Sequence, residues 1–245
     1  MKMSIVSCAF IMLIAPESSW SANSNSQHLK FEDLDKLISA KNEKVEAARL
    51  HVGAQEFRTG RLGRSFLPQI SLVAGVAVAE LLEQYYPGRI ELKWPNDVLI
   101  DGRKAAGILA EAVWMGDQVE SVVIGIGVNV LPESVPPSSE VHFPATSIHS
   151  EGLKIDRIEL LHDLLSRVIS LRPQLEKEGF IQALEKSLAF MNTSVQIWSE
   201  PAAGQNGSTS FTGTLRGLEA DGALRLETAS GIQIIQFGEI RLRPV

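Results

Sequence analysis

Between residues 91 and 130 the chain carries three apolar runs, VLI, GILAEAV and VVIGIGVNV, and no other stretch limits the fold as strongly. The runs are rich in β-branched residues. They are parted by Asp101-Gly102 and by Met115-Gly116-Asp117, where glycine accepts the positive φ that a tight hairpin requires. The spacing predicts consecutive hairpins. Just upstream, residues 71–86 form a continuous apolar segment, SLVAGVAVAELLEQYY, ended by Pro87-Gly88. Its small residues, Ala74, Gly75, Ala77 and Ala79, suit a helix pressed closely onto another element.

Outside that centre the pattern is mixed. Residues 31–51 are charged, with Leu34, Leu37, Ile38, Val45 and Leu50 at helical positions. Residues 156–170 predict a helix capped by Asp156, with Glu159 three residues on and Ile158, Leu161, Leu165 and Val168 along one side. A second helix is predicted over 174–189. Residues 191–245 change character to short alternating strands, VQIW, FTGTLRGL, ALRLET and IQIIQF, parted by turns such as Glu219-Ala220-Asp221-Gly222. The expected architecture is α+β: a mixed or antiparallel sheet with helices packed on it over 30–190, then a small C-terminal β-barrel over 191–245. A length of 245 residues with 44% apolar content supports one sizeable core and a smaller one.

Charge and cysteine content exclude some functions. A net charge of −6 gives no overall positive field for non-specific nucleic-acid binding. The single cysteine, Cys8, can form neither an internal disulfide nor a thiolate metal cluster. At the N-terminus, Lys2, an apolar stretch from Ile5 to Ala15 and the small residues Ser19 and Ser21 resemble a secretory leader. Residues 1–29 are therefore expected to be leader and linker, set apart from the folded domain.

The familiar phosphate, dinucleotide, zinc-protease and serine-hydrolase motifs do not occur, and the five histidines have no metal-ligand spacing; no metal-ligating set is expected. The chemistry concentrates in Lys93-Trp94-Pro95-Asn96-Asp97 and in Lys104-Ala105-Ala106-Gly107-Ile108-Leu109. Asp97 and Lys104 flank one hairpin, so an acid and a base can converge on one ligand, the first orienting a metal or accepting a proton, the second stabilising an anion. A surface ion pair is the plain alternative. Trp94 either packs the core edge or offers a stacking face. Gly107, Gly125 and Gly127 interrupt β-branched strands, where glycine weakens a sheet. Either something flat lies against them or the small-residue helix does. Asn129 either satisfies a strand end or holds a ligand. Gln55, Gly60, Arg61, Gly63 and Arg64 form a loop able to clamp an anion or simply to turn in solvent.

Taken together, KWPND, GRKAAGIL, GIGVNV, the Pro144-Ala145-Thr146-Ser147-Ile148 segment and the C-terminal Gly238-Glu239-Ile240-Arg241 resemble the catalytic and C-terminal domains of biotin protein ligases. The resemblance covers about residues 30–245. QEFRTGRLGRSF is similar to the family's biotin- and adenylate-binding loop, with Arg58-Thr59 where the family has Gly-Arg. Where the family carries Ser-Thr-Asn the chain has Ala40-Lys41-Asn42, and the stretches after Asn42 and after Phe66 are shorter than the family pattern.

The resemblance implies a class II synthetase-like domain that joins biotin to ATP as biotinyl-5′-adenylate and transfers biotin to a lysine of a biotin carboxyl carrier protein of acetyl-CoA carboxylase. It implies catalytic roles for Arg61, Asp97 and Lys104, assisted by Mg2+. Contacts to biotin or adenylate are implied for Asn42, Gln55, Gly60, Arg61, Arg64, Trp94, Asn96, Lys104, Gly107, Gly125, Gly127 and Asn129. The shortened stretches keep a second reading open, a non-catalytic biotin- or adenylate-binding relative. A lipoate or octanoate transferase of the same fold is a third. The 30 residues before Phe31 leave no room for the winged helix of bifunctional members, so no nucleic-acid partner is expected. A need for ATP favours the cytoplasm over export, no membrane partner is expected, and the resemblance allows a homodimer.

Overall fold

The computed structural model describes residues 8–16, 49–54, 66–115, 118–135, 137, 139, 143–171, 174, 179–199, 209–236 and 240–245. Six strands form the first sheet: β1 (Cys8–Pro16), β2 (Arg49–Ala54), β3 (Ile90–Lys93), β4 (Asp97–Ile100), β5 (Arg103–Met115) and β6 (Gln118–Val128). Their order is β2-β1-β6-β5-β4-β3. Only β1 and β2 run parallel; every other neighbour is antiparallel, so the sheet is mixed. The expected hairpins are present. At the β4–β5 turn Asp101 (φ 48°) and Gly102 (φ 70°) both adopt the left-handed conformation that a two-residue hairpin matching the strand twist demands.

Two segments depart from expectation. The apolar run that resembles a leader is, over β1, an inner strand, paired with β6 from Cys8↔Val128 to Ile14↔Val122 and with β2 from Ile11↔Arg49 to Pro16↔Ala54. A nine-residue apolar run suits a strand with neighbours on both edges. The separation of residues 1–29 from the catalytic domain therefore does not hold for this segment. Residues 49–51, expected at the end of a charged helix, lie in β2, where pairing with β1 overrides local helical spacing. The rest of that expected helix lies outside the described residues.

Helix α1 (Phe66–Glu83) packs on β3–β6. Gly75 is there because the backbone comes close: a Cβ at this position would lie 3.3 Å from Leu92 Cδ2 and 3.7 Å from Ile108 Cδ1. Pro68 falls in the first turn, where its missing N–H costs nothing. The helix ends as Tyr86 N–H bonds the Leu82 carbonyl and Gly88 turns left-handed. Helix α2 (Arg157–Leu171) is capped by Asp156, whose Oδ1 accepts from Ile158 N at 2.8 Å. It buries Leu160, Leu161, Leu164, Leu165 and Val168 and lies over α1. Within the expected helix at 174–189, the described helical segments are α3 (Phe180–Ala183) and a 3-10 turn, Leu184–Ser187.

The C-terminal unit is an antiparallel sheet of β7 (Ser194–Ser199), β8 (Thr209–Leu218), β9 (Leu224–Thr228), β10 (Gly231–Ile235) and β11 (Ile240–Pro244), in the order β10-β9-β8-β7-β11. The sequence pattern missed β11, because its pairing with β7 is long-range and its run is short. One continuous hydrophobic core joins both sheets, running from Ile108, Ile124 and Ile126 through Leu184 and Leu188 to Val195, Leu215 and Leu226.

Candidate functional site

The site is built where β3, β4 and β5 meet. Lys93 ends β3 and Asp97 begins β4, and the two are directly opposed across the corner 94–96. Lys93 Nζ donates to Asp97 Oδ2 at 2.8 Å, with both side chains under 10% exposed. Lys104, at the start of β5, reaches Asp97 Oδ1 at 2.5 Å and is 40% exposed. The structure brings Asp97 and Lys104 together as an ion pair, the plain alternative, and Lys93 adds a second ammonium that residue types and spacing left without a role. A hairpin reading could have found it, since the first and last residues of a corner face each other. The Phe143 ring covers Lys93, with Nζ 4.7 Å from its centroid.

Trp94 packs inward. It is 2% exposed and its Nε1 donates to the Gly222 carbonyl at 3.0 Å, tying the corner to the β8–β9 turn of the second sheet. Asn96 and Asn129 brace the strands. Asn96 Nδ2 donates to the Ile108 carbonyl at 2.8 Å while Ile108 N–H bonds the Asn96 carbonyl. Asn129 Nδ2 donates to the Thr146 carbonyl at 3.1 Å.

Lys104 is fixed from the other side by residues 144–146, which bridge it as a short strand: Lys104 N–H bonds the Pro144 carbonyl and Thr146 N–H bonds the Lys104 carbonyl. That segment is anchored by Glu151, a buried carboxylate accepting from Thr146 Oγ1 at 2.6 Å and paired with Arg89 and Arg103, each at 2.7 Å. Arg89 also binds Asp101, and this hydrogen bond holds the Asp101 carboxyl below the usual aspartate range. Tyr86 donates to the Ile148 carbonyl at 2.7 Å, and burial pushes its phenol up.

The glycines line a floor beside this cluster. Along β5 and β6, Ile108, Ile124, Ile126 and Val128 point to the buried side, where α1 lies. Gly107, Gly125 and Gly127 point the other way. A Cβ on Gly125 would meet only Leu109, at 3.8 Å, and one on Gly127 only the Gly107 carbonyl, at 3.9 Å, among the described residues. The small-residue helix therefore does not account for these glycines. Leu109, on the same side, is 58% exposed. Lys104 lies back across the floor, its Cε and Nζ each 3.1 Å from where a Gly107 Cβ would be. Asn42, Gln55, Gly60, Arg61 and Arg64 lie outside the described residues. No group of three His, Cys, Asp or Glu able to hold a metal occurs among the described residues.

Comparison with known proteins bears directly on this arrangement. Residues 58–129 match the biotin/lipoate A/B protein ligase family and residues 204–243 the biotin protein ligase C-terminal domain. The biotin–[acetyl-CoA-carboxylase] ligase of Paracoccus denitrificans is 32% identical over 178 residues, covering 70% of this chain and 72% of that protein. The chain belongs to the biotin protein ligase family. The bifunctional ligase/repressor BirA of Bacillus subtilis is 36% identical over 179 residues, 71% of this chain. The chain spans about half the length of such curated relatives, 53% in that case. Among solved family members, the Aquifex aeolicus ligase in complex with biotin and ATP superposes with a TM-score of 0.60 at 32% identity, covering 73% of this chain and 72% of that one. The family's first matched segment contains the corner, the lysine and all three floor glycines. Its second contains the Gly222 turn that receives Trp94.

Proposed function

We propose that the protein is an ATP-dependent biotin protein ligase that makes biotinyl-5′-adenylate and passes biotin to a lysine of a biotin carboxyl carrier protein. The observation that carries this reading is the position of the Asp97–Lys104 pair at the edge of a floor lined by Gly107, Gly125 and Gly127. A flat ureido ring system resting on glycines would direct its carboxylate toward that edge.

In the first step a biotin carboxylate oxygen attacks the α-phosphorus of ATP. The new C–O–P linkage forms as the bond from the α-phosphorus to the bridging oxygen breaks, and pyrophosphate leaves. Two anions must meet, so Lys104, with Arg61 from the anion loop, supplies the positive charge that lowers their repulsion. In the second step the acceptor amine, having lost a proton, attacks the acyl carbon. The amide C–N bond forms as the acyl C–O bond to the phosphate breaks, AMP leaves with that electron pair, and both protons shed by the nitrogen pass to solvent. Asp97 receives and orients the incoming ammonium group at the same edge. Gln55 and Asn42 are assigned to biotin, and Gly60 and Arg64 to the adenylate. The described residues do not build a magnesium site by themselves, because Asp97 is the one carboxylate at the edge and both its oxygens face ammonium groups. ATP use places the reaction in the cytoplasm.

Purified protein given biotin, ATP, magnesium and a carrier domain should release pyrophosphate in a biotin-dependent manner and add one biotin to the carrier. Lys104→Met should lose the first reaction and Asp97→Asn chiefly the second. Pyrophosphate release that ignores biotin, or responds equally to lipoate, would overturn the assignment.

A further inference from the structure

The mechanism above uses Asp97 and Lys104 but leaves a buried lysine unexplained. Lys93 and Lys104 both bind one carboxylate, from opposite oxygens, and the two differ in every other respect. Lys93 is enclosed: its side chain is 9% exposed, its ammonium lies against the Phe143 ring, and Phe143 is itself backed edge-on by Phe190, with centroids 6.4 Å apart. Its backbone is held in register opposite Asp97. Lys104 is 40% exposed and folded back over Gly107, with solvent and the floor on its open side. One negative charge therefore has two positive partners, one enclosed and the other reachable. No other cation approaches Asp97 among the described residues.

We propose that Lys93 is a positioning residue, the permanent counter-ion of Asp97, and that its presence lets Lys104 leave the carboxylate for the anion of the bound nucleotide. A carboxylate this deeply buried is costly to leave alone. If Lys104 were its sole partner, each transfer of Lys104 to a phosphate or acyl phosphate would strand Asp97 without a counter-charge. With Lys93 in place, the carboxylate stays neutralised and aimed after Lys104 departs. The excess positive charge of the ligand-free cluster is removed when the anion arrives. The corner thus holds one lysine for the carboxylate and one for exchange. The inference rests on the ligase reading for the identity of the anion, although the competition between the two lysines can be tested without turnover.

The test uses the whole 245-residue chain with Lys93→Met and Lys93→Arg. Trace acetic anhydride labelling, read by peptide mass spectrometry, reports the reactivity of the Lys104 amine. In Lys93→Met, Lys104 becomes the sole partner of Asp97, so its labelling should slow several-fold, and Lys93→Arg should restore the wild-type rate. AMP should protect Lys104 from labelling in wild type and protect it less in Lys93→Met. In turnover, Lys93→Met should raise the KM for ATP about tenfold. Equal Lys104 labelling in wild type and Lys93→Met, or an unchanged KM for ATP in Lys93→Met, would overturn the proposal. If Lys93→Met fails to fold, Phe143→Leu keeps both charges but uncovers Lys93. It should shift labelling and KM in the same direction, and no shift would overturn the proposal. A wild-type protein without biotin-dependent pyrophosphate release would sink the ligase reading, while the labelling comparison would still decide the role of Lys93.

Discussion

The two sides of the β5–β6 hairpin are made of alternate residues of the same strands, and they could hardly differ more. One side is Ile108, Ile124, Ile126 and Val128, each buried beneath α1. The other is Gly107, Gly125 and Gly127 with an exposed Leu109. Strand periodicity explains the alternation but not the glycines, because a solvent-facing side ordinarily carries polar or β-branched residues. Glycine on that side forgoes strand stability. The contrast separates a side that holds the sheet together from a side kept clear, and the ion cluster at Asp97 sits at the rim of the clear one.

Four substitutions can break or sharpen that contrast, the largest expected effect first. Ile126→Ala removes packing beneath α1 and should destabilise the fold by about 2–5 kcal/mol, measured by denaturant unfolding. Its biotin-dependent activity at low temperature should remain near wild type. Gly125→Val does the reverse. Ordinary contact with Leu109 lets the side chain fit and the strand should lose no stability, yet activity should fall about a hundredfold, ~2.7 kcal/mol. A fully active Gly125→Val protein would show that the clear side is not the binding floor.

The third substitution probes the seam between the sheets. Trp94→Phe keeps a ring in the core but removes the N–H that reaches the Gly222 carbonyl. Leaving that buried acceptor unmet should cost about 1–3 kcal/mol, seen as a lower unfolding midpoint. The smallest effect is expected at the β4–β5 turn. The Arg89 hydrogen bond depresses the Asp101 carboxyl pKa in the folded state, so its contribution is present above the ordinary aspartate range and is lost as the pH falls from about 4 through the depressed value. Asp101→Asn should flatten that part of the stability-versus-pH curve and leave neutral pH almost unchanged. An unaltered acid limb would show that the Arg89–Asp101 pair contributes nothing to stability.

Much of this was legible in the sequence because it rests on local rules. Asp101-Gly102 marks its own hairpin, Asp156 caps its own helix, and Pro87-Gly88 ends α1. The convergence of Asp97 and Lys104 follows from their places on one hairpin. The Lys93 pairing is equally local, since Lys93 and Asp97 face each other across the same corner. β1 was not legible: an apolar run at an N-terminus resembles a leader until its partners, β6 and β2, are known. The same limit applied to Glu151, whose three partners Arg89, Arg103 and Thr146 converge from separate segments.

By itself, then, the sequence determined the hairpin meander, the capped helix, the change to a second β unit and the family to which the chain belongs, because turn chemistry and motif spacing act over a few residues. Only the tertiary structure decided which way the glycines face, that Trp94 looks into the core toward Gly222, and that Asp97 is shared by an enclosed lysine and a reachable one. Those outcomes depend on which distant segments cover each side of the sheet, and burial, which no local pattern encodes, sets what each charge can do.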